Sequence, residues 1–365
     1  MRFHCPQCGF TKEIPDRFKN RALQCPRCQH SQAVVGKLAV SRAFPAETIL
    51  FYCDTCGFRK TIPFKFSGAT AKCPQCRTPV LITDYRDYWN LTRSPFPAGN
   101  HPDFFFEGYD HVEALERLFY IVEDGDMHFG LLTGDIGCGK TITRLVFKKK
   151  LLGQSYELVD LENANLSFPF LLLEVLQCLG AADSFTERPI DPSALYYLLR
   201  EFKQVLKNRI HAKGKRLLIM LDEAQQLDRQ TLIELKNLTN ITLDGQCPVT
   251  IILIGQPDLR DLVKTLPQVD QRISLRYHLP PLRPQEIGDY VRHRLAVAGN
   301  PRPDIFTSDA ADSLHRITGG VPREINRVCK LALARACTLK SRMVDGAMLE
   351  SIAVDLRRQD GLAYT

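Results

Sequence analysis

Residues Gly134, Asp135, Ile136, Gly137, Cys138, Gly139, Lys140 and Thr141 fill every fixed position of the pattern G-x-x-x-x-G-K-[ST], whose chemistry is the holding of a phosphate chain. Glycines let successive backbone N–H groups turn inward around a β-phosphate, and Lys140 adds a positive charge for the β- and γ-phosphates. Thr141 brings a hydroxyl for Mg²⁺ and opens a helix whose N-terminal dipole favours the same anion. Such a loop needs acids to complete it. Asp222 and Glu223 close the apolar run that starts at Arg216, with Asp222 82 residues after Lys140. At the C-terminal end of a strand, Asp222 is placed to hold Mg²⁺ through water, and Glu223 to orient and polarise an attacking water. A further run, 249–255, ends at Gln256, an amide that either senses a γ-phosphate or caps the strand. Loop and acids together point to a nucleotide that is hydrolysed rather than stored.

A second chemistry lies at the N-terminus. Eight of the 13 cysteines form four C-x-x-C pairs: Cys5 and Cys8, Cys25 and Cys28, Cys53 and Cys56, Cys73 and Cys76. In each half the two pairs are separated by 16 residues, and the second half repeats the first at an offset of 48. Phe3 and Phe51, Gly9 and Gly57, Ile14 and Ile62, and Pro26 and Pro74 repeat with them, so the segment is an internal duplication. A module of about 30 residues buries too little apolar surface to fold unaided, and a tetrahedral Cys₄ zinc site supplies on the order of 10 kcal/mol. Four thiolates leave no coordination position open for catalysis. Iron, or a redox C-x-x-C pair, is the alternative use of the same spacing. The remaining five, Cys138, Cys178, Cys247, Cys329 and Cys337, are scattered and read as small buried residues.

The loop and the acids need a scaffold. Segments 127–132, 216–221 and 249–255 read as buried strands, and 142–152, 168–179, 192–213 and 228–239 as amphipathic helices. Alternation of the two implies an α/β fold with a parallel sheet covered on both faces. After Pro280, Pro281 and Pro284 everything reads as helix: 285–298, 308–317, 321–339 and 345–356, with Gly319, Gly320 and Pro322 marking one boundary. No apolar run approaches the roughly 20 residues that span a bilayer, and the start Met1-Arg2-Phe3-His4-Cys5 lacks a signal peptide's apolar core. A cytoplasmic protein with no membrane span is expected. The formal charge of +7 is uneven, since residues 1–90 carry 14 Lys and Arg against 6 Asp and Glu. Two Cys₄ zinc sites would lower that local excess to about +4, leaving a modest basic surface suited to nucleic acid or an acidic partner.

The phosphate loop is followed in order by Asp222-Glu223-Ala224-Gln225, Ile254-Gly255-Gln256-Pro257-Asp258-Leu259, the stretch from Gln271 to Leu279, and Gly319-Gly320-Val321-Pro322-Arg323. In this order the chain resembles the AAA+ ATPases of the ExeA, or general secretion pathway A, type, which are related to transposition-helper ATPases. The lead-in from Tyr88 to Phe96 is similar too, so the resemblance spans about residues 85 to 356. It implies a P-loop NTPase (AAA+) parallel sheet with a helical lid, preceded here by two zinc ribbons. The implied domains are ribbons at 1–36 and 48–84, a nucleotide-binding domain at 85–280 and a lid at 281–358. It further implies ATP and Mg²⁺ as cofactors, with Lys140, Thr141, Asp222 and Glu223 in their usual roles and Gln256 as the first sensor. Arg323 becomes the second sensor on the lid, and Arg272, or else Arg276, the arginine that reaches a neighbouring subunit's γ-phosphate. A homo-oligomer follows from that last role. Secretion-type members continue into a membrane helix and a cell-wall-binding segment, whereas this sequence ends at Thr365 and starts with two ribbons their pattern lacks. The function expected is an ATPase that assembles or remodels a partner complex docked through the ribbons. The alternatives are an ATP-regulated DNA-binding factor and a secretion-assembly ATPase.

Overall fold

In the computed structural model the chain divides into two units, residues 1–84 and 85–365. The structure describes residues 2–4, 11–13, 22–24, 28, 31–33, 48–53, 55–56, 58–63, 66 and 69–82 of the first part, and 84–151, 156–162, 164–181, 192–300 and 303–362 beyond it. The first unit is built of short antiparallel hairpins. β1 (Arg2–His4) pairs with β2 (Thr11–Glu13), and β3 (Ala22–Gln24) with β4 (Ser31–Ala33). β5 (Thr48–Tyr52) then pairs with β6 (Arg59–Pro63), and β7 (Thr70–Lys72) with β8 (Pro79–Leu81). β7 and β8 repeat β3 and β4 at the same 48-residue offset as the cysteines, so what is duplicated is a pair of hairpins. Phe51 and Ile82 share a small core with Cys53 and Cys73.

The second unit runs α1 (Tyr85–Tyr88), α2 (Tyr109–Asp124), β9 (Phe129–Gly134), α3 (Lys140–Leu151), β10 (Tyr156–Leu161), α4 (Phe168–Cys178), α5 (Pro192–Val205) and β11 (Arg216–Leu221). It continues through α6 (Arg229–Leu238), β12 (Val249–Gly255), α7 (Pro257–Lys264), α8 (Pro267–Asp270) and β13 (Leu275–Leu279) to four helices. These are α9 (Ile287–Val297), α10 (Ser308–Thr318), α11 (Pro322–Thr338) and α12 (Gly346–Leu362). Five strands form one parallel sheet in the order β10-β11-β12-β9-β13. Every residue of β9 and β12 is buried, because helices cover both faces. Phe129, Leu131, Ile219, Ile251 and Leu253 pack under α4 to α7, while Leu132, Leu218, Met220, Ile252 and Ile254 meet α2 and α3. Successive side chains on a strand point to opposite faces, which produces this division.

The structure moves several sequence boundaries. β9 begins at Phe129 rather than 127, and α3 begins at Lys140 itself. The helix read over 192–213 is α5 followed by a π-helical turn, Leu206–Ile210, and a 3-10 turn, His211–Lys213. Gly153, which closes the helix read over 142–152 in the sequence, lies outside the described residues. The sequence reading missed two strands, β10 and β13, and these are the two edges of the sheet. An edge strand needs apolar side chains on fewer positions, and β13 alternates half-buried and exposed residues.

Segment 85–106, grouped with the sheet in the sequence division, packs its aromatic side chains into the helical lid. Trp89, Leu91, Phe96 and Phe104 join the core of α9 to α12. Trp89 Nε1 donates to the Leu333 carbonyl at 3.0 Å, and Arg294 Nε to the Pro95 carbonyl at 2.8 Å. The lead-in therefore straps across the lid before the chain enters α2. Among the described residues, no helix is long and apolar enough to cross a membrane.

Candidate functional site

The phosphate loop leaves the C-terminal end of β9, and its shape depends on two glycines. Gly137 and Gly139 have φ of 89° and 103°, in the left-handed region that side chains disfavour. A Cβ on Gly139 would lie 2.7 Å from His111 Nε2, and one on Gly137 would lie 2.8 Å from Arg323 Cβ. His111, on α2, is buried under the loop with Nε2 3.0 Å from the Cys138 carbonyl. Burial pushes its imidazole pKa below the usual histidine range, and because Nε2 faces a carbonyl oxygen it carries the hydrogen and donates. Lys140 is buried as well, and its Nζ donates to the carbonyls of Gly134 at 2.7 Å and Asp135 at 3.0 Å. Desolvation lowers its pKa, yet these acceptors keep the ammonium at the mouth of the loop.

The two acids stand directly after β11. Thr141 Oγ1 donates to Asp222 Oδ2 at 3.1 Å, and the Glu223 N–H donates to Asp222 Oδ1 at 2.9 Å. Burial raises the Asp222 pKa, and the Arg144 guanidinium pulls it back. A hydroxyl and a carboxylate converging here form the hard oxygen set that Mg²⁺ takes with phosphates and water, so the residues fit that cation. Glu223 has a φ of 54°, a conformation that costs a non-glycine residue about 1 to 3 kcal/mol and turns its side chain out of the strand's line. Its Oε2 accepts from Gln225 Nε2 at 2.6 Å, while Gln225 Oε1 accepts from the Gln256 N–H at 3.1 Å. Gln225 thus ties the acid of β11 to the end of β12, where Gln256 caps α7.

Gly137, Gly139, Lys140, Thr141, Glu223 and Gln256 line one cavity of about 510 Å³, a volume in the range of small-molecule and cofactor sites. The loop, Lys140, Thr141, Glu223 and Gln256 line one side, and the strap, Tyr290, Arg294 and Arg323 the other. Arg323 is in the first turn of α11, and its N–H donates to the Gly137 carbonyl at 3.3 Å. The lid thereby touches the loop directly. Arg272 is not in this cavity. It lies near His128 and Cys247, which precede β9 and β12, and β13 is level with Gly134 only at Leu279. The five residues of β13 alone separate the two levels by about 13 Å. Among the described residues the exposed Arg272 side chain makes no hydrogen bond or ion pair, whereas Arg276 is bound to the Asp270 carboxylate at 2.7 Å and to its carbonyl at 2.6 Å. Sequence reasoning named Gln225 and the lead-in from Tyr88 to Phe96 only as parts of the family resemblance and gave them no structural role, and it overlooked His111 and Arg144. Arg144 carried a signal, because residues four apart on a helix share a face and Lys140 fixes which face that is.

In the first unit, Cys53, Cys56, Cys73 and Cys76 bring their four Sγ atoms within 4.8 Å of one another. Zn–S bonds of about 2.3 Å in a tetrahedron require S···S distances near 3.8 Å, so the set fits one zinc ion. Thr78 Oγ1 lies 3.2 Å from Cys76 Sγ, and with the Thr78 backbone it brings that thiol down to about 6. Of the first ribbon's ligands, Cys5, Cys8 and Cys25 lie outside the described residues.

Residues 124–263 match a family model described as an AAA domain. General secretion pathway protein A of Aeromonas hydrophila is 38% identical over 258 residues, covering 69% of this chain and 45% of that protein. An uncharacterised HTH-type transcriptional regulator of Methanocaldococcus jannaschii is 26% identical over 164 residues, or 43% of this chain and 40% of its own length. The chain spans less than half the length of the curated relatives it matches. Among solved structures, the ORC2 protein of Aeropyrum pernix superposes with a TM-score of 0.53 at 18% identity, covering 72% of this chain and 71% of that one. Cdc6p of Pyrobaculum aerophilum gives 0.54 at 17% identity, covering 69% and 67%. At these identities the likeness is one of fold.

Proposed function

The chain carries an AAA+ ATPase domain of the ExeA type, and we propose that it binds and hydrolyses Mg-ATP in the cavity between the phosphate loop and the lid. The observation that carries this reading is the convergence of Lys140, Thr141, Glu223, Gln256 and Arg323 on one cavity, with Thr141 hydrogen-bonded to Asp222. Backbone N–H groups of the loop and Lys140 bind the β- and γ-phosphates. Thr141 and Asp222 hold Mg²⁺, which when bound offsets the phosphate charge. Glu223 orients water, Gln256 and Arg323 read the γ-phosphate from core and lid, and Arg272 completes the site of the next subunit in a homo-oligomer. Lys140→Ala removes a charged donor worth about 1.5 to 3 kcal/mol, so ATP affinity is expected to fall roughly 10- to 100-fold in a fluorescent-nucleotide assay. Affinity and turnover equal to wild type in that variant would place the site elsewhere.

In this reading each ribbon holds one structural zinc ion and docks a partner, in the cytoplasm, for an ATP-driven assembly or remodelling step. The basic excess of residues 1–90 favours DNA as the second reading, with ATP regulating the grip. Affinity for duplex DNA should then fall with salt at a log–log slope of about −0.9 per phosphate neutralised. Binding that is absent, or indifferent to salt, rejects DNA and leaves a protein partner, the role suggested by the secretion-pathway relative.

A further inference from the structure

Arg144 lies one turn beyond Thr141 on α3, is 1% exposed, and is among the largest fully buried side chains of the protein. A buried guanidinium is retained only among carboxylates, and three surround it. Its Nη1 donates to Asp160 Oδ1, Nη2 lies 3.3 Å from Glu162 Oε1, and Nε lies 3.4 Å from Asp222 Oδ2. The last contact is incomplete: Nε is buried with no hydrogen-bond partner among the described residues, although the carboxylate stands beside it. Asp160 is shared in turn with Lys148, whose Nζ donates to Oδ2 at 2.8 Å. The oxygen that Arg144 faces is the same Asp222 Oδ2 that accepts the Thr141 hydroxyl. Arg144 and a divalent cation held beside Thr141 therefore draw on the same carboxylate.

We propose that Arg144 is a positioning residue that makes cation binding at Thr141 and Asp222 depend on the nucleotide. The inference rests on the Mg-ATP reading of the cavity. A fixed positive charge 3.4 Å from the buried Asp222 carboxylate opposes a lone divalent cation, since like charges in a dry site repel strongly. Phosphates bound on the loop bring the negative charge that offsets this repulsion, so cation and nucleotide enter as a pair. Asp160 sets the strength of the device by holding the guanidinium away from a full bond with Asp222. By linkage, the nucleotide raises cation affinity by the same factor as the cation raises nucleotide affinity.

The test measures Mn²⁺ binding by electron paramagnetic resonance on the full chain, with and without ADP, alongside ADP binding with and without Mn²⁺. Wild type is expected to show coupling on the order of 100-fold, equal in both directions. Arg144→Met should tighten Mn²⁺ binding in the absence of ADP and shrink the coupling roughly tenfold, and Arg144→Lys should restore it. Asp160→Asn should act in the opposite sense, freeing Arg144 to bond Asp222 and weakening Mn²⁺ binding roughly tenfold with ADP present. Effects of opposite sign from two buried substitutions cannot both come from loss of folding. Unchanged Mn²⁺ affinity in Arg144→Met, or both variants moving the same way, overturns the proposal while leaving nucleotide binding intact. A wild-type chain that binds neither ADP nor Mn²⁺ with ADP overturns the nucleotide reading and this proposal with it.

Discussion

Arg272→Ala is expected to lower ATP turnover of the assembled protein by about 10³- to 10⁵-fold, the range seen when a trans arginine is lost from other nucleotide hydrolases. ATP affinity should change little, because Arg272 stands at the opposite end of the sheet from its own phosphate loop. In the proposed assembly it acts on a neighbour's site. Arg276 is the competing candidate on sequence grounds, but its guanidinium is already committed to Asp270, and a side chain held twice within its own subunit is poorly placed to reach another. Arg276→Ala should therefore keep turnover within severalfold of wild type. Mixing separates a trans role from damage to the fold. Arg272→Ala subunits keep a sound loop and acids, while Glu223→Gln subunits keep a sound arginine. Equimolar mixtures should recover activity well above either variant alone, as interfaces pairing one good half with the other form. Turnover that follows the simple average of the two variants would reject the composite site, as would an Arg272→Ala protein with wild-type turnover.

How far such residues could be read from sequence depended on how many faces of their element are buried. β9, β11 and β12 are covered on both sides, so their apolar runs are continuous and stand out, and the loop, Asp222, Glu223 and Gln256 were found because they follow those runs. β10 and β13 are edges with polar residues interleaved, so neither strand was found, and Arg272 just before β13 was singled out only through family order. The cysteine pairs were legible for another reason. Metal ligation fixes spacing, and a 48-residue repeat of that spacing survives any change in the residues between. Contacts that depend on tertiary approach left no trace. Nothing in Phe96 to Phe106 indicates that this strap would join the lid, and nothing in Gln225 indicates that its amide would meet both Glu223 and the end of β12.

The amide of Gln225 bears on the second large effect, the loss of the carboxylate proposed to activate water. Glu223→Gln is expected to lower turnover by about 10²- to 10⁴-fold, the usual contribution of a positioned general base, with ATP affinity preserved. Preservation follows from the proposed site: its phosphate and cation contacts are assigned to Lys140, Thr141 and Asp222, and the Glu223 N–H that donates to Asp222 is backbone, so the substitution leaves it in place. Glutamine also matches glutamate in shape, so the left-handed turn at this position carries the same strain before and after. What changes is the oxygen that accepts from Gln225 Nε2 and faces the cavity, which loses its charge and its capacity to take a proton. Measured together, ATP affinity and single-turnover rate should fall apart in this variant and fall together in Lys140→Ala. A Glu223→Gln protein that hydrolyses ATP at the wild-type rate would remove Glu223 from the chemistry and leave the task to a group outside the β11 acids. One that loses ATP affinity in step with rate would instead make Glu223 part of the binding floor, with Gln225 serving only to hold it there.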